Sequence, residues 1–183
     1  MRLALVSATL LASLLAAIGA APAAASTSKP YYSVELYYLS LVNCTRTGGW
    51  VQRDGTCIGY GSGQYSVYVP PLRLSAGISD RASRPYARLL AIRNLCSHYA
   101  DHDPGYRLRR AGYRSWVWGE NIGCGNGYTS AKAAVLDSHL RMQAEMSTNG
   151  GHWRNIKATK FRWVGIGVWR YAGRTRVVTD FYI

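Results

Sequence analysis

The sequence predicts an α+β domain in which helices cover a sheet that ends in an antiparallel hairpin. Three segments have the apolar spacing of helices, and two apolar runs near the carboxyl end are joined by the tight turn Ala172-Gly173. Long polar or glycine-rich stretches separate these segments. Such an order is typical of a layered α+β domain, because each apolar helix face must be buried against another element.

The amino terminus has the pattern of a secretory signal peptide. Arg2 supplies a positive charge, residues 3–20 are almost wholly apolar, and an Ala-x-Ala pattern ends at Ala25. We therefore expect residues 1–25 to be removed on export, which makes the protein secreted. An uncleaved membrane anchor is the alternative interpretation, and the cleavage pattern argues against it.

The rest of the chain has the length of one domain. We expect residues 26–33 to form a linker and residues 34–183 to form a single domain. No later apolar run is long enough to span a bilayer, so we expect no transmembrane anchor once the signal peptide is cleaved.

The chain is strongly basic, with 22 Lys and Arg residues against 9 Asp and Glu residues and a formal net charge of +13. Such a charge attracts acidic partners at long range. For a secreted protein we expect these to be anionic envelope polymers or lipids rather than nucleic acid, and we expect a monomer. A basic surface without a dedicated ligand fits the same composition.

The four cysteines all follow the signal peptide, and an even number in an oxidising compartment predicts two disulfides. Three pairings are open. Cys44 with Cys57 closes a short glycine-containing loop and is favoured, which leaves Cys96 with Cys124. A zinc site made of these cysteines is disfavoured, because the paired short spacings of such sites are missing.

The first half of the domain is predicted to be helical at its start. Residues 34–42 form a helix whose inner stripe is Glu35, Leu36, Leu39 and Val42. Residues 45–63 form a glycine-rich loop. Tyr65 to Val69 alternate as a short strand, which Pro70 and Pro71 end.

A second helix is predicted from Ser79, as its N-cap, to about Leu95, with a late start or a kink at Pro85. This helix would deliver His98 just past its end. Residues 99–118 are predicted to be irregular, with Asp103-Pro104-Gly105 as a turn.

A third helix is predicted from a cap at Thr129 or Ser130 to about Glu145. Asn149-Gly150-Gly151 ends it. Residues 160–171 and 175–183 then form the two strands of the hairpin, the first of them central in its sheet because it is apolar on both faces.

Three polar residues stand in settings that suit a cleft. His98 is either a metal ligand or base, or a capping histidine. Glu120, in a short strand beside small residues, is either a cleft acid or the partner of one of the many arginines. His152 lies between two glycines and Trp153, and is either clamped in the cleft or part of a surface turn. Asn155 is placed to anchor the local backbone.

Four short motifs occur in an order that resembles the CAP superfamily of cysteine-rich secretory, antigen 5 and pathogenesis-related proteins, and in particular its bacterial SCP-like extracellular branch. They are Ser97-His98, Gly119-Glu120-Asn121-Ile122, Gly151-His152-x-x-Asn155-Ile156 and Val164-Gly165-Ile166-Gly167-Val168. Shorter matches are Leu74-Ser75-Ala76 before the second helix, Arg110-Ala111-Gly112-Tyr113 before Glu120, and Thr179-Asp180-Phe181 at the end. The Gly-His-Trp form departs from the Gly-His-Tyr of eukaryotic members.

The resemblance implies a three-layer α-β-α sandwich with a central antiparallel sheet and a cleft of two histidines and two acidic residues. His98, Glu120 and His152 match three of these positions, and Glu145 is the choice for the fourth, with Asp137 as the alternative. In that family the histidines can hold a divalent cation such as zinc. His98 and His152 are therefore the expected metal ligands.

The function expected from this resemblance is a secreted, basic binding module. Its His/Glu cleft would bind a divalent cation or a small ligand, with a lipid or a component of the cell envelope among the candidates. The alternative is an extracellular hydrolase of envelope peptides or glycans, with Glu120 or Glu145 as the catalytic base. A third hypothesis is a surface-interaction domain whose cleft is vestigial.

Overall fold

The computed structural model describes residues 29–183, in which helices lie on both faces of a four-stranded sheet. The expected signal peptide, residues 1–25, and the start of the expected linker lie outside the described residues. None of the helices from residue 29 onward is both long and apolar enough to cross a membrane.

Helices and strands are interspersed along the chain, with two short helical turns among them. In order they are α1 (Tyr32–Arg46), β1 (Trp50–Val51), β2 (Cys57–Ile58), β3 (Arg73–Leu74), α2 (Ala76–Ile78), a π-helical turn (Ser79–Ser83), α3 (Arg84–Arg93), α4 (Pro104–Arg110), β4 (Trp118–Asn126), α5 (Ala131–Ala144), a 3-10 turn (Glu145–Thr148), α6 (Gly151–Lys157), β5 (Trp163–Tyr171) and β6 (Arg174–Tyr182).

The main sheet has the strand order β3-β5-β6-β4. β6 pairs antiparallel with β4 and with β5, whereas β3 adds only a two-residue parallel edge. The turn between β5 and β6 places Ala172 and Gly173 at φ values of 46° and 77°, which suits a two-residue hairpin. The carboxy-terminal hairpin predicted from the sequence is thus confirmed, with β5 as an inner strand.

Both faces of the sheet are buried, which gives the α-β-α sandwich. On one face α1, α5 and α6 pack over Val177 and Phe181 of β6. On the other face α3 packs over Val178, and α2 and α4 lie beside it. Because successive side chains of a strand point to opposite faces, neighbouring residues of one strand serve different helix layers.

The outer edge of β5 is closed largely by side chains, since β3 is so short. The backbone N–H of Ile166 donates to Ser79 Oγ at 2.9 Å, and that of Val168 donates to Glu35 Oε1 at 3.2 Å. Glu35 is fully buried and accepts two further hydrogen bonds from the guanidinium of Arg84, at 2.7 and 2.6 Å. These contacts satisfy strand donors that have no neighbouring strand.

The second helical region differs from the prediction at its start. Ser75, not Ser79, is the N-cap, and its Oγ accepts from the N–H of Ile78 at 3.3 Å. The helical path then passes through the π turn just before Pro85. Proline has no N–H to continue the α-helical ladder, and a π turn is one way to accommodate it without ending the helix.

Gly167 allows this helical segment to lie close against the sheet. A Cβ at position 167 would stand 2.3 Å from backbone atoms of Ser83 and Arg84. Any larger residue would therefore push the π turn away from β5.

Two further local predictions were wrong. Asp103-Pro104-Gly105 is the start of α4 rather than a turn, because Asp103 Oδ1 caps the N–H of Tyr106 at 2.9 Å and Pro104 occupies the first turn. Residues 65–69 form no strand. Instead the N–H of Val69 donates to the carbonyl of Arg46, which ties this segment to the end of α1.

The first helix is confirmed, but its inner face is rotated from the predicted stripe. Glu35 and Val42 are buried as expected, whereas Leu36 is exposed and Tyr38 and Leu41 take the inner positions. The inner face is rotated because α1 packs against both α5 and the sheet, so the residues that point towards these two neighbours are the buried ones.

Both expected disulfides are present. Cys44 of α1 is bonded to Cys57 of β2, and Cys96 is bonded to Cys124 of β4. The second bond fixes the segment before His98 to the strand that carries Glu120.

Candidate functional site

The first half of the site is a histidine on a buried carboxylate. The Glu120 side chain is only 1% exposed, and its Oε1 accepts from His98 Nδ1 at 2.7 Å. Its Oε2 is paired with the Arg107 guanidinium. The His98 ring is 39% exposed, so one end of this buried chain of polar groups reaches solvent. Glu120 is therefore the partner of an arginine, as one of the two sequence interpretations had it, and its role as a cleft acid stays a prediction.

The loop that carries His98 is fixed from beneath. The hydroxyl of Tyr86 donates to the carbonyl of Ser97 at 2.6 Å and accepts from the N–H of Ala100 at 3.0 Å. Arg107 Nη1 donates to the carbonyl of His98 at 3.0 Å. One arginine thus holds both the histidine's backbone and the carboxylate that binds its ring.

The second half repeats this arrangement at the end of α5. Glu145 Oε1 accepts from His152 Nδ1 at 2.6 Å, and Oε2 accepts from the N–H of His152 at 2.9 Å and of Trp153 at 3.4 Å. Partial burial alone would raise the pKa of Glu145, but the hydrogen bonds and charge of His152 outweigh it and lower that pKa. The His152 ring is 35% exposed.

Asp137, the alternative to Glu145 as the fourth cleft residue, forms its hydrogen bonds with residues outside the two His–Glu pairs. Its Oδ2 accepts from the hydroxyl of Tyr128 at 2.6 Å and from Arg141 Nε at 2.8 Å. Glu145 is the acid that the structure places beside a cleft histidine.

Two asparagines connect the two His–Glu pairs through β4. The amide of Asn155 donates to the carbonyl of Glu120 at 3.1 Å and to Asn121 Oδ1 at 2.8 Å. The amide of Asn121 donates to the carbonyl of His152 at 3.1 Å. Since Glu120 and Asn121 point to opposite faces of the edge strand β4, one pair comes from each helix layer and both meet this strand.

The hydrogen bonds fix which ring nitrogen is free in each histidine. An ionised carboxylate only accepts, so Nδ1 carries the proton in both rings and Nε2 keeps its lone pair in the neutral form. From residue 29 to the end of the chain, neither Nε2 has a hydrogen-bond partner. Across the same residues no three His, Cys, Asp or Glu side chains converge as a metal-holding group. The site therefore offers two imidazoles rather than a closed cage.

Asp180 is a member of the site that sequence reasoning did not single out. It lies opposite Glu120 in the β4–β6 register, is fully buried, and accepts from the hydroxyl of Ser83 at 2.7 Å. Burial, and after it the charge of Glu120, raises the pKa of Asp180 to about 8. The protonated form of Asp180 is therefore favoured in the folded protein. The signal that could have found it is the Thr179-Asp180-Phe181 match, which places an acid in a predicted strand.

Comparison with known proteins supports the fold. No family model and no curated protein matches the sequence. The structure is similar to an extracellular protein containing an SCP domain from Bacillus anthracis str. Ames, with a TM-score of 0.55 and 19% identity over 88% of this chain. The match covers 44% of the Bacillus protein, so this chain spans less than half of that protein's length.

Two further similarities have TM-scores under 0.5. Hookworm platelet inhibitor gives a TM-score of 0.49 at 11% identity, covering 86% of this chain and 73% of its own. A structure of NaASP2 with Zn²⁺ gives 0.49 at 14% identity, covering 85% and 80%. The Bacillus match, together with the architecture described above, shows that this chain has the fold of an SCP domain.

Proposed function

We propose that this protein is an extracellular binding module that holds a divalent cation, zinc first among them, through His98 and His152. The observation that carries the proposal is that the His98 and His152 rings form the same hydrogen bond to a glutamate. Each places Nδ1 on a glutamate and leaves Nε2 free, which is the arrangement of metal-binding histidines with a carboxylate behind them. Glu120 and Glu145 would orient the rings and raise their basicity, without being ligands themselves.

The same geometry favours binding over hydrolysis. Glu120 uses one oxygen on His98 and the other on Arg107, and Glu145 uses both on His152 and its neighbour. Every oxygen of the two carboxylates already has a protein partner, so neither acid is orientated towards a water molecule as a general base would be. The hydrolase hypothesis is therefore the second choice, and no contact in the site favours it.

Secretion is part of the proposal. It is supported by the signal-peptide pattern of residues 1–25 and by two disulfides, which form and persist in oxidising compartments. Amino-terminal sequencing of protein recovered from the culture medium tests it directly. We expect a start near Ser26; recovery of only the uncleaved chain, inside cells, would refute it.

Zinc titration tests the cation proposal. Isothermal titration calorimetry of the oxidised domain at pH 7.5 should show one zinc ion per chain. His98→Ala and His152→Ala should each weaken binding by at least roughly 100-fold, and Glu120→Gln or Glu145→Gln by about 10–100-fold.

The matched control is His102→Ala, which removes an exposed imidazole four residues from His98. Its zinc affinity should equal that of the wild type, and circular dichroism should show all variants folded. Equal binding by wild type and the double His98→Ala, His152→Ala variant would end the proposal.

A further inference from the structure

A second polar cavity lies on the α3 and α4 side of the molecule. It has a volume of about 260 Å³ and lies between the π turn with α3 and the helix α4. Its charged lining consists of Arg81, Arg88, Arg107, Arg110 and Asp101, and Tyr86 forms part of its apolar wall. Four arginines and one carboxylate thus line the space, with Arg107 already paired to Glu120, and the volume is large enough for a small oxyanion.

The cationic lining is not neutralised by the protein. Within the part of the chain that the structure describes, Arg81, Arg88 and Arg110 have no carboxylate at ion-pair distance. The carboxylate of Asp101 has its recorded ionic contact with a histidine, at 3.9 Å, rather than with any arginine. All three arginines are exposed, so solvent screens their mutual repulsion, but an anion that enters the cavity would be attracted by all of them.

Three of the four arginines are held in place by aromatic rings. Arg107 Cζ lies 3.5 Å from the ring centroid of Tyr86, and Arg88 Cζ lies 5.5 Å from that of Trp169. Arg81 Cζ lies 5.4 Å from the Tyr113 ring. Stacking fixes the plane of a guanidinium and leaves its edge free to donate, so less side-chain freedom is lost when a ligand binds.

Arg107 adds an independent observation at the base of the cavity. Its side chain is only 7% exposed, and three of its four recorded donor contacts come from one nitrogen, Nη1. Its Nε–H is buried and has no acceptor among residues 29–183. A buried donor without a partner is costly, and the protein leaves Arg107 incompletely satisfied where this residue borders the cavity.

From these features we propose that the cavity binds the phosphate group of a phosphate monoester or diester. Arginine forks match the oxygen pairs of phosphate, and the tetrahedral group suits donors that converge from two helices. The cavity borders the His98–Glu120 pair through Arg107 but is lined by neither imidazole, so phosphate binding there goes beyond the cation-binding function.

Calorimetric titration tests the cavity, with inorganic phosphate as the probe and chloride at equal ionic strength as the reference. We expect saturable one-to-one binding of phosphate and none of chloride. Arg88→Gln and Arg110→Gln should each weaken phosphate binding about tenfold or more. Asp101→Asn should strengthen it, because it removes the opposing charge.

The matched control is Arg93→Gln, which removes the same charge from the last turn of α3 outside the cavity. It should leave phosphate affinity within about twofold of the wild type, since exposed charges at a distance are screened. An equal loss in Arg93→Gln and Arg88→Gln, or no saturable binding of phosphate by the wild type, would overturn the proposal. Zinc affinity measured on Arg88→Gln should be unchanged, which separates this test from that of the cation site.

The source of the phosphate can be resolved in the same assay. Glycerol phosphate oligomers represent a soluble envelope polymer, and vesicles of phosphatidylglycerol represent a membrane headgroup. Binding of either that is lost in Arg88→Gln identifies the source and supports the site. Binding of both that is indifferent to Arg88→Gln assigns the attraction to net charge and contradicts it.

Discussion

Two buried glutamates of this fold have nearly the same partners and different consequences. Glu35 and Glu120 are each enclosed in the protein, and each is paired with a single arginine, Arg84 or Arg107. The remaining contact differs. Glu35 also accepts from a strand N–H, whereas Glu120 accepts from the half-exposed ring of His98.

The difference shows how one chemical unit can serve either structure or function. At the β5 edge, Glu35 of the Glu35–Arg84 pair accepts a hydrogen bond from a strand N–H. All its polar contacts are therefore buried, and the pair closes the sheet edge. At the β4 edge, Glu120 of the Glu120–Arg107 pair accepts instead from an imidazole whose second nitrogen faces outward. The solvent-exposed His98, rather than the buried Glu120–Arg107 pair, therefore marks the candidate functional site.

The largest expected effect is at the Glu35–Arg84 pair. Glu35→Ala leaves Arg84 buried without its main partner and the N–H of Val168 without an acceptor, and should lower the free energy of unfolding by about 3–5 kcal/mol. Urea denaturation measures this. Glu35→Gln, which keeps one acceptor oxygen, should cost less. A loss below about 1 kcal/mol for the alanine variant would contradict the structural role given to this pair.

Glu120→Gln should lower the stability of the protein less than Glu35→Ala does, but it should weaken zinc binding more. Glutamine keeps one oxygen for Arg107 but loses the charge that holds His98, so the free energy of unfolding should fall by about 1–3 kcal/mol. The same urea assay applies. If Glu120→Gln destabilised the protein as much as Glu35→Ala while leaving zinc affinity intact, the two sites would be equivalent and the contrast between them would fail.

Asp180→Asn should stabilise the protein, in a pH-dependent way. The folded state holds the Asp180 proton up to about pH 8, whereas the unfolded chain loses it above its ordinary pKa of 3.8. Wild-type stability contributed by this group therefore falls as pH rises through that window and is lowest above it. The variant should gain about 1–2 kcal/mol at pH 8.5 and almost nothing near pH 4. Thermal unfolding at both pH values checks this, and an equal gain at both would contradict it.

The smallest effect on stability is expected from replacing His98, the solvent-exposed residue bonded to Glu120. His98→Ala removes a half-exposed ring, and should change the free energy of unfolding by less than about 1 kcal/mol. His139→Ala is the matched comparison, because that ring is fully buried and its pKa is lowered to about 3 by burial. Its loss should cost about 2–4 kcal/mol. If His98→Ala and His139→Ala lowered the free energy of unfolding by similar amounts in urea denaturation, the claim that only His139 contributes through burial would be refuted.

Much of the framework could be predicted from the sequence because it depends on local signals. The hairpin followed from Ala172-Gly173 between apolar runs, and the helix α5 from its serine cap. The positions of His98, Glu120 and His152 followed from their motifs. These signals lie within a few residues of the element that they specify.

What could not be predicted depends on contacts between distant segments. Asp103-Pro104 suits a turn and a helix start equally, and only the packing of α4 under the His98 loop selects the helix. Arg107 was overlooked for the same reason, since its importance lies in reaching Glu120 from a helix that the sequence did not reveal. The split of the cleft into two His–Glu pairs likewise depends on the tertiary fold.

The free Nε2 atoms of His98 and His152 can be observed directly by ¹⁵N NMR of the histidine rings, before and after one equivalent of zinc at pH 7.5. We expect Nδ1 of both rings to carry the proton throughout and both Nε2 signals to shift on zinc addition, while the rings of His102 and His139 stay unchanged. Zinc-dependent shifts at Nδ1, or at His102 instead of the paired rings, would contradict the proposed site.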